Sequence, residues 1–331
     1  MTDYTQLKLI ATPSPHIRGL VTTRSIMLDV IIAMLPALAY AGFWFGFRSL
    51  ALTGISVAAC VVWETLYCLA CRKRLPVGDL SAAVTGMLLA FVCPVDAVWW
   101  HLVIGAFVAI VVVKQLFGGI GRNVLNPALA GGMLVRLCFG AGMDGRDILS
   151  EIEMLAGQPE AAAAAPMSYL QRTDMADAFR ALTEKYSLTE LFLGKVGGAM
   201  GEVCVLALLA GGIYLMGRRI ISWHIPVGCV AAVAVLSLIF PCGDDNLLWM
   251  LYSICGGGLL LGAFFMATDY ATSPVTDSGR LIYGVGCGAL TVLLRYFLSP
   301  ELGVYCAILM MNCATPLLDR VIRPVRFGAR D

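Results

Sequence analysis

Charge is scarce in this chain, and that scarcity sets its class. Only 14% of the 331 residues are Asp, Glu, Lys or Arg, against 59% hydrophobic, where a soluble domain carries nearer ~25% charged residues. A water-soluble enzyme or binding domain is thereby excluded. Histidine is rarer still: His16, His101 and His224 are scattered and make no ligand set. No catalytic triad, P-loop or nucleotide-binding Gly-rich fingerprint occurs in a strand–turn–helix setting. The net charge of +1 says little as a total, and no nucleic-acid partner is expected. The first 24 residues contain Asp3, Lys8, Arg18 and Arg24 and no continuous apolar stretch, so no cleavable signal peptide is expected.

Cysteine is the reactive residue in good supply, with twelve copies. All but Cys242 lie in or beside apolar segments, where free Cys is an ordinary small hydrophobe. Cys68 and Cys71 form a C-x-x-C, but no second pair stands at metal-site spacing. A structural zinc or iron–sulfur site is not expected.

What the chain does have is long apolar runs. Windows of about 19 residues place segments near 26–47, 49–71, 80–94, 97–117 and 124–140. A second set lies near 198–217, 221–240, 246–267, 281–297 and 303–320. Most are long enough for a span of ~17–25 residues. Segments 80–94 and 124–140 are short and adjoin Pro and Gly, which reads either as broken or re-entrant helices lining a cavity or as short tilted helices.

Two echoes divide these ten segments into two sets of five. Gly86-Met87-Leu88-Leu89-Ala90-Phe91 runs on to Pro94 and Asp96, and Gly258-Leu259-Leu260-Leu261-Gly262-Ala263-Phe264 runs on to Asp269. An odd number of spans per repeat inverts the second copy in the bilayer, a layout that holds a site between the halves. The expected fold is an all-α integral membrane protein of about ten transmembrane or partly spanning helices in two inverted five-helix repeats. The divisions are an N-terminal segment 1–25, a first membrane repeat 26–140, an extracytoplasmic loop 141–197, a second repeat 198–320 and a basic tail 321–331.

Placing the N-terminus inside puts 15 of the 23 basic residues in inner segments, as insertion favours. Both termini then face the cytoplasm of a bacterial inner membrane. The 141–197 loop carries nine acids against five bases, with a helical patch over Ala176–Tyr186. Ionisable residues near the membrane interior, Asp29, Glu64, Lys114, Arg136 and Glu202, are functional candidates, because charge in lipid is costly.

Two stretches stand out chemically. The first is Phe117-Gly118-Gly119-Ile120-Gly121-Arg122-Asn123-Val124-Leu125-Asn126-Pro127-Ala128. Gly118, Gly119 and Gly121 allow close backbone approach, Asn123 and Asn126 bring amide donors and acceptors, and Pro127 fits a first helical turn. A helix N-terminus there offers N–H groups to electronegative ligand atoms; a capped tight turn is the alternative. The second is Phe264-Phe265-Met266-Ala267-Thr268-Asp269-Tyr270-Ala271-Thr272-Ser273-Pro274-Val275-Thr276. Here Asp269 and Thr272 either join a polar site or satisfy the loop backbone.

Together, F-G-G-x-G-x-N-x-x-N-P-A, then G-A-F-F-M-A-T-D with S-P-V-T and G-R-L-I-Y-G, resemble the RnfD/NqrB family. Gly197-Gly198-Ala199-Met200-Gly201-Glu202 and Met311-Asn312-Cys313-Ala314-Thr315-Pro316-Leu317-Leu318-Asp319 extend the resemblance to the whole chain. The long N-terminal extension typical of NqrB is absent, which favours the RnfD branch. The resemblance implies a membrane subunit of a complex with RnfA, RnfB, RnfC, RnfE and RnfG. That complex couples electron transfer between ferredoxin and NAD to sodium or proton translocation. It implies non-covalent FMN or riboflavin at Gly118, Gly119, Gly121, Asn123, Asn126, Pro127, Asp269 and Thr272. The other readings open at this point are a small-solute carrier and a scaffold subunit without its own redox centre.

One departure from the family pattern concerns covalent flavin. Members carry a loop motif like D-x-x-[ST]-[SG]-A-T-P-L, whose Thr bears FMN through a phosphoester. Anchored on Pro166, this chain has Ala162 at the Ser/Thr position and Ala165 at the acceptor position. A methyl group has no oxygen to esterify, so covalent FMN is not expected at Ala165. Thr173, Thr183 and Thr189 lie outside the motif, and Ser168 is the alternative acceptor.

Overall fold

The computed structural model describes residues 22–73, 77–139, 167, 175–202, 204–242 and 245–323, and every regular element among them is helical. In chain order these are α1 (Thr23–Trp44), α2 (Phe47–Ala70), α3 (Ser81–Val92), α4 (Trp99–Phe107, running on as a π-helical stretch Val108–Gln115) and α5 (Pro127–Phe139). Two connecting helices follow, α6 (Met175–Lys185) and α7 (Leu188–Leu193). The remainder comprises α8 (Val205–Gly217), α9 (His224–Ile239), α10 (Asn246–Cys255), α11 (Leu259–Leu261, running on as π-helix Gly262–Met266), α12 (Asp277–Phe297) and α13 (Gly303–Val321).

Four of these are long and apolar enough to cross a bilayer alone, α10 with α11 forms a fifth, bent candidate, and five more are shorter apolar helices. The result is an all-α membrane protein, as the apolar segments predict. One element differs from the sequence reading, which takes 246–267 as continuous. The structure breaks it between Cys255 and Leu259 with a 56° bend. The cause is Gly256-Gly257-Gly258, where Gly257 and Gly258 adopt φ of 63° and 66°, a region that favours glycine.

The short helices α3 and α5 have 12 and 13 residues, about 18–20 Å of rise, less than the ~30 Å hydrocarbon core. Helix α3 is apolar all round and buried on nearly every side, as such a helix must be. Its C-terminal carbonyls need partners, and the second half supplies them. Gly201 N–H donates to Phe91 O at 3.0 Å and Met200 N–H to Cys93 O at 3.2 Å. The segment entering α8 thus seals the end of α3.

Small residues bring the backbones together elsewhere. A Cβ on Gly211 of α8 would stand 2.2 Å from Ala33 O of α1, and one on Gly86 of α3 would stand 2.6 Å from Val57 Cα of α2. Across the same α1–α8 contact, buried Asp29 accepts from Tyr214 at 2.9 Å and pairs with Arg218 at 3.1 Å. At the opposite end of the bundle, α6 and α7 pack on the helices through Phe179, edge-on to Trp249 and Tyr252. Trp44 Nε1 donates there to Val196 O at 3.1 Å.

Candidate functional site

The site forms where the α4–α5 loop meets the loop after α11. Gly118 N–H donates to Gln115 O and Gly119 N–H to Lys114 O, closing the end of the π-helical stretch. Gly118, Gly119 and Gly121 all have positive φ (114°, 93° and 80°). These glycines turn the chain back toward α5 and do not themselves line the pocket.

Asn126 caps α5. Its Oδ1 accepts from Leu129 N–H at 3.3 Å, and its Nδ2 donates to Met266 O at 3.1 Å. The second bond ties the first half of the chain to the second, where the π-helical turn of α11 ends. The Asn312 side chain of α13 completes the junction, 3.1 Å from the Asn126 backbone nitrogen and 2.5 Å from the Tyr283 hydroxyl. Asn123 behaves differently. Its Oδ1 is buried without a partner among the described residues, an acceptor whose desolvation none of them offsets.

Asn123, Asn126, Pro127 and Asp269 line one pocket of about 100 Å³, with Lys114 and Thr268. The structure therefore gathers four of the eight sequence-predicted binding residues on one cavity. Thr272 sits behind it: its hydroxyl donates to Asp269 Oδ2 at 3.4 Å, and its carbonyl accepts from Thr315 at 2.8 Å. Asp269 also accepts through its backbone oxygen from Thr272 and Ser273 N–H. Burial pushes the Asp269 carboxyl above its usual range, against the opposing pull of the Ala271 N–H and the Thr272 hydroxyl. Asp269 thus lines the pocket and also satisfies the backbone of its own loop.

Lys114 reaches the pocket from the π-helical part of α4. Its ammonium lies 2.8 Å from Glu64 Oε1 and donates to Ser81 Oγ at 2.6 Å, and Gln115 Nε2 donates to the same Glu64 oxygen at 2.9 Å. Glu64 is 1% exposed and its Oε2 has no partner. Both carboxyl and ammonium are thus held on the first half of the chain, at the start of α3. Charge in an apolar segment is the signal that points to both residues; their pairing is not local in sequence.

A second ionic cluster occupies the other end. Arg136 Nη1 lies 3.9 Å from Glu202 Oε1, and the Tyr305 hydroxyl donates to that same oxygen. Arg295 donates to the carbonyls of Ser253 and Gly256 at 2.6 and 2.9 Å, holding the break before α11. No group of three or more His, Cys, Asp or Glu suited to a metal ion occurs among the described residues. Ala162, Ala165 and Ser168 lie outside the described residues.

The NQR2, RnfD, RnfE family model matches residues 10–328. The chain belongs to that family. It is 40% identical over 325 residues to the D subunit of the Na(+)-translocating ferredoxin:NAD(+) oxidoreductase complex of Acetobacterium woodii, covering 98% of this chain and 96% of the relative. It is 34% identical to the D subunit of the proton-translocating ferredoxin:NAD(+) oxidoreductase complex of Clostridium ljungdahlii, over 96% and 95% of the two chains. The D subunit of an ion-translocating oxidoreductase complex from Stutzerimonas stutzeri is 36% identical over 92% and 91%. In this chain the two asparagines, the proline and Asp269 meet on one pocket at the junction between the halves, where Asn123 Oδ1 has no partner among the described residues.

Whether the residues fit a flavin can be tested on that acceptor. A flavin ring carries an N–H at its edge, and Asn123 Oδ1 is a buried acceptor that lacks one. The α5 N-terminus adds a partial positive charge beside it. The donor and acceptor set fits.

Proposed function

We propose that this chain is the D-type membrane subunit of a complex that couples electron transfer between ferredoxin and NAD to ion translocation. The near full-length likeness to two subunits so named supports this reading. Those relatives are named for sodium in one case and protons in the other, so the ion is not fixed by features the family shares. The other subunits would be RnfA, RnfB, RnfC, RnfE and RnfG, in a bacterial inner membrane. The basic end near Arg72, Lys73, Arg218 and Arg219 faces the cytoplasm, as Lys and Arg placement favours.

Within that complex the chain's part is to hold a flavin, FMN or riboflavin, without a covalent bond. The single observation that carries this is the partnerless Asn123 Oδ1 inside the junction pocket. When bound, the flavin supplies the electron-transfer chemistry. The side chains supply the rest. Asn123 would hold the ring through its amide and set its orientation. The α5 N-terminus, begun by Pro127, favours electronegative atoms. Lys114, clamped by Glu64 and Ser81, sets a fixed charge pair beside the ring. Asn126 keeps the two halves in register around it.

The test is flavin analysis of the purified intact complex. Denaturation should release flavin from this chain and leave none attached, because Ala165 cannot carry a phosphoester. Replacing Ala162 with Ser and Ala165 with Thr together should permit covalent attachment when a flavin transferase is supplied. An FMN adduct on any residue of the unaltered 141–197 loop, Ser168 included, would refute the covalent part. Absence of any flavin on this chain would favour the scaffold reading. For orientation, an impermeant thiol reagent should label Glu184→Cys from outside intact cells, above the background of native cysteines. Labelling of Glu184→Cys only after lysis would reverse the topology.

A further inference from the structure

A separate cleft of about 520 Å³ opens where α8 ends and α9 and α12 begin. It shares Ile220, Ile221, Thr268 and Tyr270 with the junction pocket. The Tyr270 hydroxyl, donating to Ile220 O, forms the partition between them.

Its polar lining is predominantly cationic. Arg219 follows α8 in the left-handed region, φ 57°, is exposed, and has no side-chain partner among the described residues. Arg280 donates through Nε to Pro274 O at 3.1 Å and through Nη1 to Asp277 at 3.2 Å, which leaves Nη2 for a ligand. Asp277 is the one carboxylate among the described lining residues. His224 stacks on Trp223 with ring centroids 4.1 Å apart, and its Nδ1 is buried without a partner. Two guanidinium groups and the hydroxyls of Ser222 and Ser273 suit a phosphate, which guanidinium forks bind in bidentate fashion.

The position selects the kind of phosphate. The cleft lies at the ends of membrane helices, with Trp223 and Tyr270 more than half exposed beside it, as aromatic residues are at a membrane interface. Ile213, Val227 and Ile282 on the three adjoining helices are also exposed. Basic pockets between helices at this depth bind anionic headgroups. We propose that the cleft binds the phosphate of an anionic phospholipid. The headgroup sits between Arg219 and Arg280, and the acyl chains lie along the exposed apolar side chains of α8, α9 and α12.

The test uses the full chain in its complex, reconstituted into nanodiscs of phosphatidylglycerol and phosphatidylcholine, with retained lipid identified by native mass spectrometry. Phosphatidylglycerol should be retained in preference to phosphatidylcholine. Arg219→Gln and Arg280→Gln should each lower that retention about fivefold, and Arg219→Lys should keep most of it. The Arg219 side chain has no partner among the described residues, so its variants report on binding even if Arg280→Gln misfolds. Equal retention of the two lipids, or unchanged retention in Arg219→Gln, would overturn the proposal. Added FMN and inorganic phosphate form the second arm. Neither should displace the lipid, and displacement by either would reassign the cleft to a soluble phosphate.

Discussion

Both halves of the chain begin a short buried helix after a left-handed residue, Leu80 before α3 and Gly258 before α11, with φ of 63° and 66°. In both, a basic side chain from the next long helix sits beside the start: Lys114 on Ser81 in the first half, Arg295 on the Gly256 carbonyl in the second. The surroundings then diverge. A Cβ on Gly258 would meet the Tyr305 hydroxyl at 2.4 Å and Glu202 at 2.9 Å, so the second start is closed by side chains. The first opens on a pocket that Ser81 and Lys114 help to line, with Asn123 unsatisfied within it. One backbone device thus serves as a seal in one half and as the wall of a pocket in the other.

The largest way to break the comparison is at the seal. Gly258→Val combines left-handed strain with overpacking against Tyr305 and should cost about 3 kcal/mol, read as a lowered unfolding midpoint in detergent. A Gly258→Val protein of unchanged stability would mean the second start is not closed. The ion pairs come next. Removing one partner of a buried pair costs roughly 3 kcal/mol where the pair is tight. Glu64→Ala, whose partner lies at 2.8 Å, should therefore destabilise more than Glu202→Ala, whose Arg136 partner lies at 3.9 Å. The reverse order would undo the contrast between the clusters.

Smaller effects separate the two asparagines. Asn126→Leu loses both the α5 cap and the bond to Met266 O, and should cost roughly 1–3 kcal/mol together with flavin. Asn123→Leu removes an acceptor that has no internal partner, so stability should hold while flavin content falls. The smallest change is Leu80→Gly. It relieves a left-handed residue at the first start and should gain about 1 kcal/mol, less what the half-buried Leu80 side chain contributes by packing. Destabilisation by Leu80→Gly would show that packing outweighs the backbone there.

How far the sequence could be read follows from how local each determinant is. Apolar runs mark every membrane helix, and the N-x-x-N-P-A stretch marks the α5 start, because caps and first-turn prolines act within a few residues. The break at Gly256-Gly257-Gly258 left a visible glycine run, but the apolar composition on both sides reads as one span. The Lys114–Glu64 pair and the hold of Gly201 on Phe91 join residues far apart in sequence, and no periodicity encodes such pairings. Asn123 and Asn126 look alike in the motif. Only their surroundings in the fold make one a strut and the other an acceptor without a partner among the described residues. The glycines just before them were legible as close-approach positions, yet they act by turning the chain.

The most direct test is to measure the flavin released on denaturing the wild-type and Asn123→Leu proteins, purified in their complexes and matched for unfolding temperature. The account predicts release from the wild-type chain and a clear loss in the variant at equal stability. Equal flavin release from both would contradict it.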